Sequence, residues 1–240
     1  MPETKIPDKL KKKIALFTDK LKGAYPTDLV SVILYGSAAS GEFVDNHSDL
    51  NFLICLQNLA PEGLKDAAKI VNKFPAFVPL FLTQEHINCS TDIFPIEFLD
   101  MQENYTVIYG KDILKNITVD IKNLRFQCEY ELRIKLIFLR QLYLKSSKDR
   151  RALLFPLLKS FTSVLHILRN VLRLKGRTPP YQKDLIISEL ATLFSVDITV
   201  WKKILAVKNK KERLNKAGIE DLFIKFIAEL EKSVELMDKL

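Results

Sequence analysis

The feature that most constrains this chain is a change of apolar period near residue 120. Before it, apolar residues come in short β-branched and aromatic runs, broken by Gly and Pro, with short helical stretches between them. After it, they recur at three- and four-residue spacing over stretches longer than 20 residues. Strands first and helices after specify an α+β chain: a mixed sheet with flanking helices, then a helical bundle. We place the two domains at residues 1–120 and 121–240, each of a size that can bury its own core.

The elements follow from local pattern. Leu10, Ile14, Phe17 and Leu21 predict an amphipathic helix over 8–23, ended by Gly23 and Pro26. The runs 29–35 (LVSVILY) and 50–56 (LNFLICL) read as buried strands. Pro61 opens a helix to about Asn72. Phe77–Leu82 is a further strand, which Pro79 pushes to an edge or a bulge. Thr83 caps a short helix through Ile87. Residues 93–99 (IFPIEFL) read as a fourth strand, and Val107–Tyr109 as another strand-like piece. Helices are expected at 123–145, 150–175, 182–194, 197–207 and 218–239.

Charge divides at the same place. Residues 1–120 carry 12 Lys+Arg against 16 Asp+Glu, a net of −4. Residues 121–240 carry 25 against 13, a net of +12, and together they give the chain its +8. The basic excess therefore belongs to the helical half, where it suits an anionic partner such as a nucleotide. Lys208–Lys211 with Arg213 lacks interleaved aromatics, so specific nucleic-acid recognition is not favoured. Cys55, Cys89 and Cys128 are far apart and read as reduced thiols of a cytoplasmic protein, with no zinc-ligand spacing to the three histidines. No leader-type segment and no apolar run near the 20 residues of a membrane span is expected.

The chemistry-bearing stretch runs from Leu34 to Leu56. A strand ends at Gly36-Ser37, a small-residue turn whose backbone amides can approach phosphate oxygens. Ser48-Asp49-Leu50-Asn51 opens the next strand, and residues two apart on a strand share a face, so Asp49 and Asn51 project together. Glu97 stands alone between Ile96 and Phe98, where a carboxylate in an apolar strand is costly without a partner or a metal. A neighbouring strand that set Glu97 beside Asp49 would provide oxygen ligands for Mg²⁺. Each residue also has a plainer reading: Asp49 as a turn residue, Asn51 as an ordinary strand residue, Glu97 as an ion-paired or edge acid.

These residues resemble the nucleotidyltransferase superfamily of the DNA polymerase beta type, over roughly residues 28–110. Its pattern is a Gly-Ser turn, about a dozen residues, Asp-x-Asp or Asp-x-Glu, and a further acid on a later strand. The order of SDLNFLICL, FLTQEHI, DIFPIEFLD and VIYG, followed by helices, is similar to an uncharacterised bacterial group of the superfamily with Asp-x-Asn. The resemblance implies transfer of a nucleoside monophosphate from an NTP to a hydroxyl acceptor. It implies Asp49, Asn51 and Glu97 as catalytic metal ligands and Gly36, Ser37 and Ser48 as nucleotide-binding residues. Asn51 departs from the pattern. It keeps one carbonyl ligand and loses a full charge, so one Mg²⁺ is expected rather than two. Ser40 departs as well, standing where many relatives carry an Arg. The alternative is a catalytically inactive member that binds a nucleotide or a protein partner.

In the helical half, Arg125, Glu129, Arg133 and Arg140 form a stripe that either grips phosphate or is an ion-paired helix surface. Arg169, Arg173 and Arg177 carry the same two readings. His166, among Leu165, Ile167 and Leu168, reads as a residue near the core, and Trp201 as core.

Overall fold

The computed structural model describes residues 8–40, 50–146, 148–194 and 197–240. The chain divides into two compact units, Met1–Val119 and Asp120–Leu240, and each is described by itself.

The first unit is built on four strands: β1 (Leu29–Tyr35), β2 (Leu50–Leu56), β3 (Phe77–Thr83) and β4 (Tyr105–Gly110). Their order is β3-β2-β1-β4. β1 runs antiparallel to both β2 and β4, while β3 runs parallel to β2. The parallel pair is a consequence of α3 (Gly63–Val71), which carries the chain back across the sheet between β2 and β3. β3 takes the edge, where the missing N–H of Pro79 costs least.

Alternation along the strands gives the sheet two buried faces. Val32, Leu34, Phe52 and Ile54 pack with Ile14, Phe17 and Leu21 of α1 (Asp8–Ala24) and with Ala67 and Ile70 of α3. Phe17 is the hub, with ring centroids 5.1–5.3 Å from Phe52, Phe74 and Phe77. Ile33, Leu53 and Cys55 form the other face with Ile87, Phe98 and Met101. Ile87 lies on α4 (Gln84–Cys89), whose first turn is capped by the Thr83 hydroxyl accepting from the His86 N–H at 3.1 Å. Burial pushes the Cys55 thiol up to about 11, which makes it an inert core group.

The expected strand at 93–99 is a helix, α5 (Pro95–Glu103). Pro95 occupies its first turn, where no N–H is needed, and Glu97 in that turn complements the helix dipole. Pro95, Ile96, Phe98 and Met101 are the buried residues, a helical and not an alternating set. Glu97 itself is exposed.

The second unit contains α6 (Ile121–Lys145), a 3₁₀ turn (Arg150–Leu153), α7 (Leu154–Leu174), α8 (Lys183–Phe194), α9 (Ile198–Lys208) and α10 (Lys216–Asp238). Asp120, Asp197 and Asn215 cap α6, α9 and α10 by accepting from the backbone N–H of Lys122, Thr199 and Gly218. α7 is the central helix, burying Leu157, Phe161, Val164, Leu168 and Val171. Phe161 and Phe226 stack around Trp201, with ring centroids 6.0 and 5.5 Å from it. The stretch Arg150–Leu174 is long and apolar enough to cross a membrane by length and composition, and in the bundle these apolar residues form the core. His166 departs from the expectation: it is on the exposed face of α7, because neighbours on a helix diverge by about 100°.

The arginines of this unit are largely engaged within it. Glu129 pairs with Arg125 at 3.3 Å and Arg133 at 3.0 Å. Arg133 also reaches Asp238, and Arg140 reaches Glu231, both on α10 and both at 2.6 Å. The stripe on α6 is thus an ion-paired seam with α10. Arg169 is 4% exposed. It donates to the carbonyl oxygens of Pro180 (2.9 Å) and Pro179 (3.2 Å), and its guanidinium lies 4.1 Å from the Tyr181 ring. That latch holds the segment after Gly176 against α7. Arg169→Leu is expected to lower unfolding free energy by about 3 kcal/mol in urea titration, since the buried Pro179 carbonyl and the part-buried Pro180 carbonyl lose a charged donor.

Candidate functional site

Two of the predicted site residues, Gly36 and Asn51, lie at one end of the sheet. Tyr35, the last residue of β1, lies in register with Asn51 on β2 and with Tyr105 at the start of β4. The chain then turns at Gly36, whose φ is +79°, and enters the short helix α2 (Ser37–Ser40). The Gly36 N–H donates to the Asn104 carbonyl at 2.9 Å, tying the turn to the segment between α5 and β4. A Cβ at Gly36 would sit 3.5 Å from Asn51 Nδ2, so the Asn51 carboxamide lies against this turn. Gly36 and Asn51 are therefore brought together. Ser48 and Asp49 lie outside the described residues, as do the side chains of Ser37 and Ser40.

Asn51 is on the sheet face shared by Leu53 and Cys55. Its in-register neighbours are Tyr35 on one side and Val78 on the other. Burial raises the Tyr35 phenol above its ordinary range, which keeps it a protonated hydrogen-bond donor near neutral pH. Val78 is 46% exposed and apolar. β2 lies between β1 and β3, and neither LVSVILY nor FVPLFLT carries an acid. Glu97 is not on a strand beside β2; it lies in the first turn of α5. Six residues of α5, about 9 Å of helix rise, separate it from Glu103 next to the Asn104 contact.

Among the described residues, no three His, Cys, Asp or Glu side chains come together in a way that could hold a metal ion. The described donors at this end of the sheet are a neutral carboxamide and a protonated phenol beside an isopropyl group. These described side chains form a neutral hydrogen-bonding wall beside a glycine turn.

Sequence reading missed Tyr35, Asn104 and Val78. Tyr35 adjoins Gly36 and was accessible from the motif itself. Val78 required knowing that β3 lies parallel to β2, which the strand–helix–strand pattern of 50–83 implies. The Asn104 carbonyl contact has no signal in sequence, because any residue supplies a carbonyl.

The first unit is thus a mixed four-stranded sheet with a glycine turn at the end of β1, and the second is a helical bundle. The chain is similar to a spectinomycin adenyltransferase from Enterococcus faecialis, solved with ATP and spectinomycin, at 14% identity and a TM-score of 0.56. The superposition covers 90% of this chain and 99% of that one, so both halves of the fold are shared. No family model matches the chain. No curated protein matches it.

Proposed function

We propose that this protein binds a nucleoside triphosphate at the Gly36 end of the sheet, and that its transfer of a nucleoside monophosphate to a hydroxyl acceptor is strongly impaired. The observation that carries this reading is the pairing of Asn51 with Val78 and Tyr35 in a nucleotidyltransferase fold. In this reading the Gly36 and Ser37 turn receives the triphosphate, with Ser48 adding a hydroxyl. The Asn51 carboxamide and the Tyr35 phenol hydrogen-bond to the nucleotide. Asp49 is the one carboxylate we assign next to Asn51, so a single Mg²⁺ arriving with the triphosphate is the metal content that this site allows. Glu97 lies in the first turn of α5 and is not assigned to the metal in this reading. The fold likeness to a protein solved with ATP supports the nucleotide, and the neutral strand ends support the impairment.

A second reading is complete loss of transfer, with nucleotide binding or partner binding as the whole function. Val78 favours it, because a neighbouring apolar side chain offers no place for the second ion.

Isothermal titration tests the nucleotide and the carboxylate on which the first reading rests. Each NTP with Mg²⁺ is expected to bind the wild-type chain, and Asp49→Ala is expected to weaken binding at least 10-fold, a change of about 1.4 kcal/mol. Affinity that survives Asp49→Ala unchanged would remove the assigned carboxylate. Absence of binding by any NTP to either chain would remove the nucleotide.

A further inference from the structure

Helix α6 buries Leu124, Cys128, Leu132, Leu136 and Leu139 in its own bundle. Its opposite side is also apolar. Phe126 is 68% exposed, Tyr130 56%, Ile137 55% and Leu144 75%, with Ile134 and Phe138 between them. On a helical wheel these six residues span an arc of about 120°. Phe126 and Tyr130 already stack, with centroids 6.1 Å apart, so the face is partly ordered before anything covers it. Scattered exposed apolar residues are ordinary on a protein surface. A continuous stripe along five turns of one helix is not, and it marks an interaction surface.

We propose that this stripe joins two copies of the chain, α6 against α6 in antiparallel sense. Taking about 200 Å² for a fully exposed large side chain, the six residues offer roughly 700 Å² per copy. A pair would thus bury about 1,400 Å², within the range of stable specific interfaces. The pattern is also self-complementary. A twofold axis between Lys135 and Leu136 sets Ile134 opposite Ile137, Tyr130 opposite the exposed Gln141, whose carboxamide can meet the phenol hydroxyl, and Phe126 opposite Lys145, whose aliphatic stem can cover the ring. A residue i that meets j while j meets i is the signature of an isologous interface. Two arginines bordering the stripe are already paired. Arg133 is held by Glu129 and Asp238, and Arg140 by Glu231, within each copy. This interface goes beyond the nucleotide reading and stands without it.

Sedimentation of the full chain between about 1 and 100 μM is expected to show a reversible dimer. Ile134→Glu places an unpaired charge at the centre of the stripe. It is expected to raise the dimer dissociation constant at least 100-fold, with the far-UV circular dichroism of a folded chain retained. Register is read by cross-linking in a Cys89→Ser background, because Cys89 is the exposed thiol. Mixing Tyr130→Cys with Gln141→Cys chains is expected to give an oxidised heterodimer, while neither variant alone cross-links. A wild-type chain that stays monomeric to 100 μM would overturn the proposal. Cross-linking of Tyr130→Cys with itself would overturn the antiparallel arrangement.

Discussion

Asn51→Asp is expected to raise Mg²⁺-dependent release of pyrophosphate from NTP by on the order of 10²-fold, equivalent to about 2.7 kcal/mol of barrier. The substitution changes one atom group and almost no volume. Its carboxylate would lie where the carboxamide now does, against the Gly36 turn. An anionic oxygen there acts on a divalent cation in a partly desolvated site, where charge counts for more than in bulk water. The double variant Asn51→Asp with Val78→Glu is expected to gain a further factor of about 10 or more, because Val78 is the in-register neighbour on β3. Position 78 is 46% exposed on an edge strand, so a carboxylate is tolerated there. Turnover is read by a coupled pyrophosphate assay on wild type and both variants. If neither variant turns over more NTP than wild type, although each binds Mg²⁺-NTP more tightly, the complete loss of transfer is the correct reading. If neither variant changes Mg²⁺-NTP affinity at all, the nucleotide site is elsewhere.

Gly110→Ala is expected to cost more than about 3 kcal/mol of stability, or to prevent folding of the first unit. Gly110 ends β4 with φ +80°, opposite Ser31 of β1. A Cβ there would lie 2.0 Å from the Val30 carbonyl oxygen and 2.9 Å from the Val30 carbonyl carbon, both backbone atoms. Backbone in a paired strand cannot move aside as a side chain can. The strain adds to the penalty of about 1–2 kcal/mol for any L-residue in the left-handed region. The same segment holds the buried Ser31 hydroxyl, which donates to the Lys111 carbonyl at 2.7 Å, so the β1–β4 pairing would be lost with it. Gly36→Ala is the internal control. Its φ is +79°, but its Cβ would make an ordinary contact with Asn51. Only the left-handed penalty of about 1–2 kcal/mol is expected there. Urea unfolding of the two variants, compared by midpoint at constant slope, separates a steric clash from a simple conformational cost.

Much of the fold was legible because its signals are local. β2 runs from Leu50 to Leu56 as the apolar run predicts, and Thr83 caps α4 as its position predicts. Pro79 correctly places β3 at an edge. The failure at 93–99 has a specific cause. Isoleucine and phenylalanine suit a strand, but Pro95 is as good an opening for a helix, and Leu99, Met101, Gln102 and Glu103 favour one. A seven-residue apolar run cannot settle that choice by period alone. The consequence reached the site, since Glu97 counted as a strand acid only while that strand stood.

By itself, the sequence determined the strand-then-helix architecture, the glycine turn and the neutral residue at position 51. Periodicity, turn chemistry and residue charge are properties of neighbouring residues. The tertiary structure alone decided which side chains flank Asn51. Strand order and register place Val78 and Tyr35 there, and they depend on which strands pair across the sheet. It likewise decided that Arg169 latches a loop, and that Arg133 and Arg140 answer acids on α10. Guanidinium groups find partners by distance in space, which spacing along one helix does not encode.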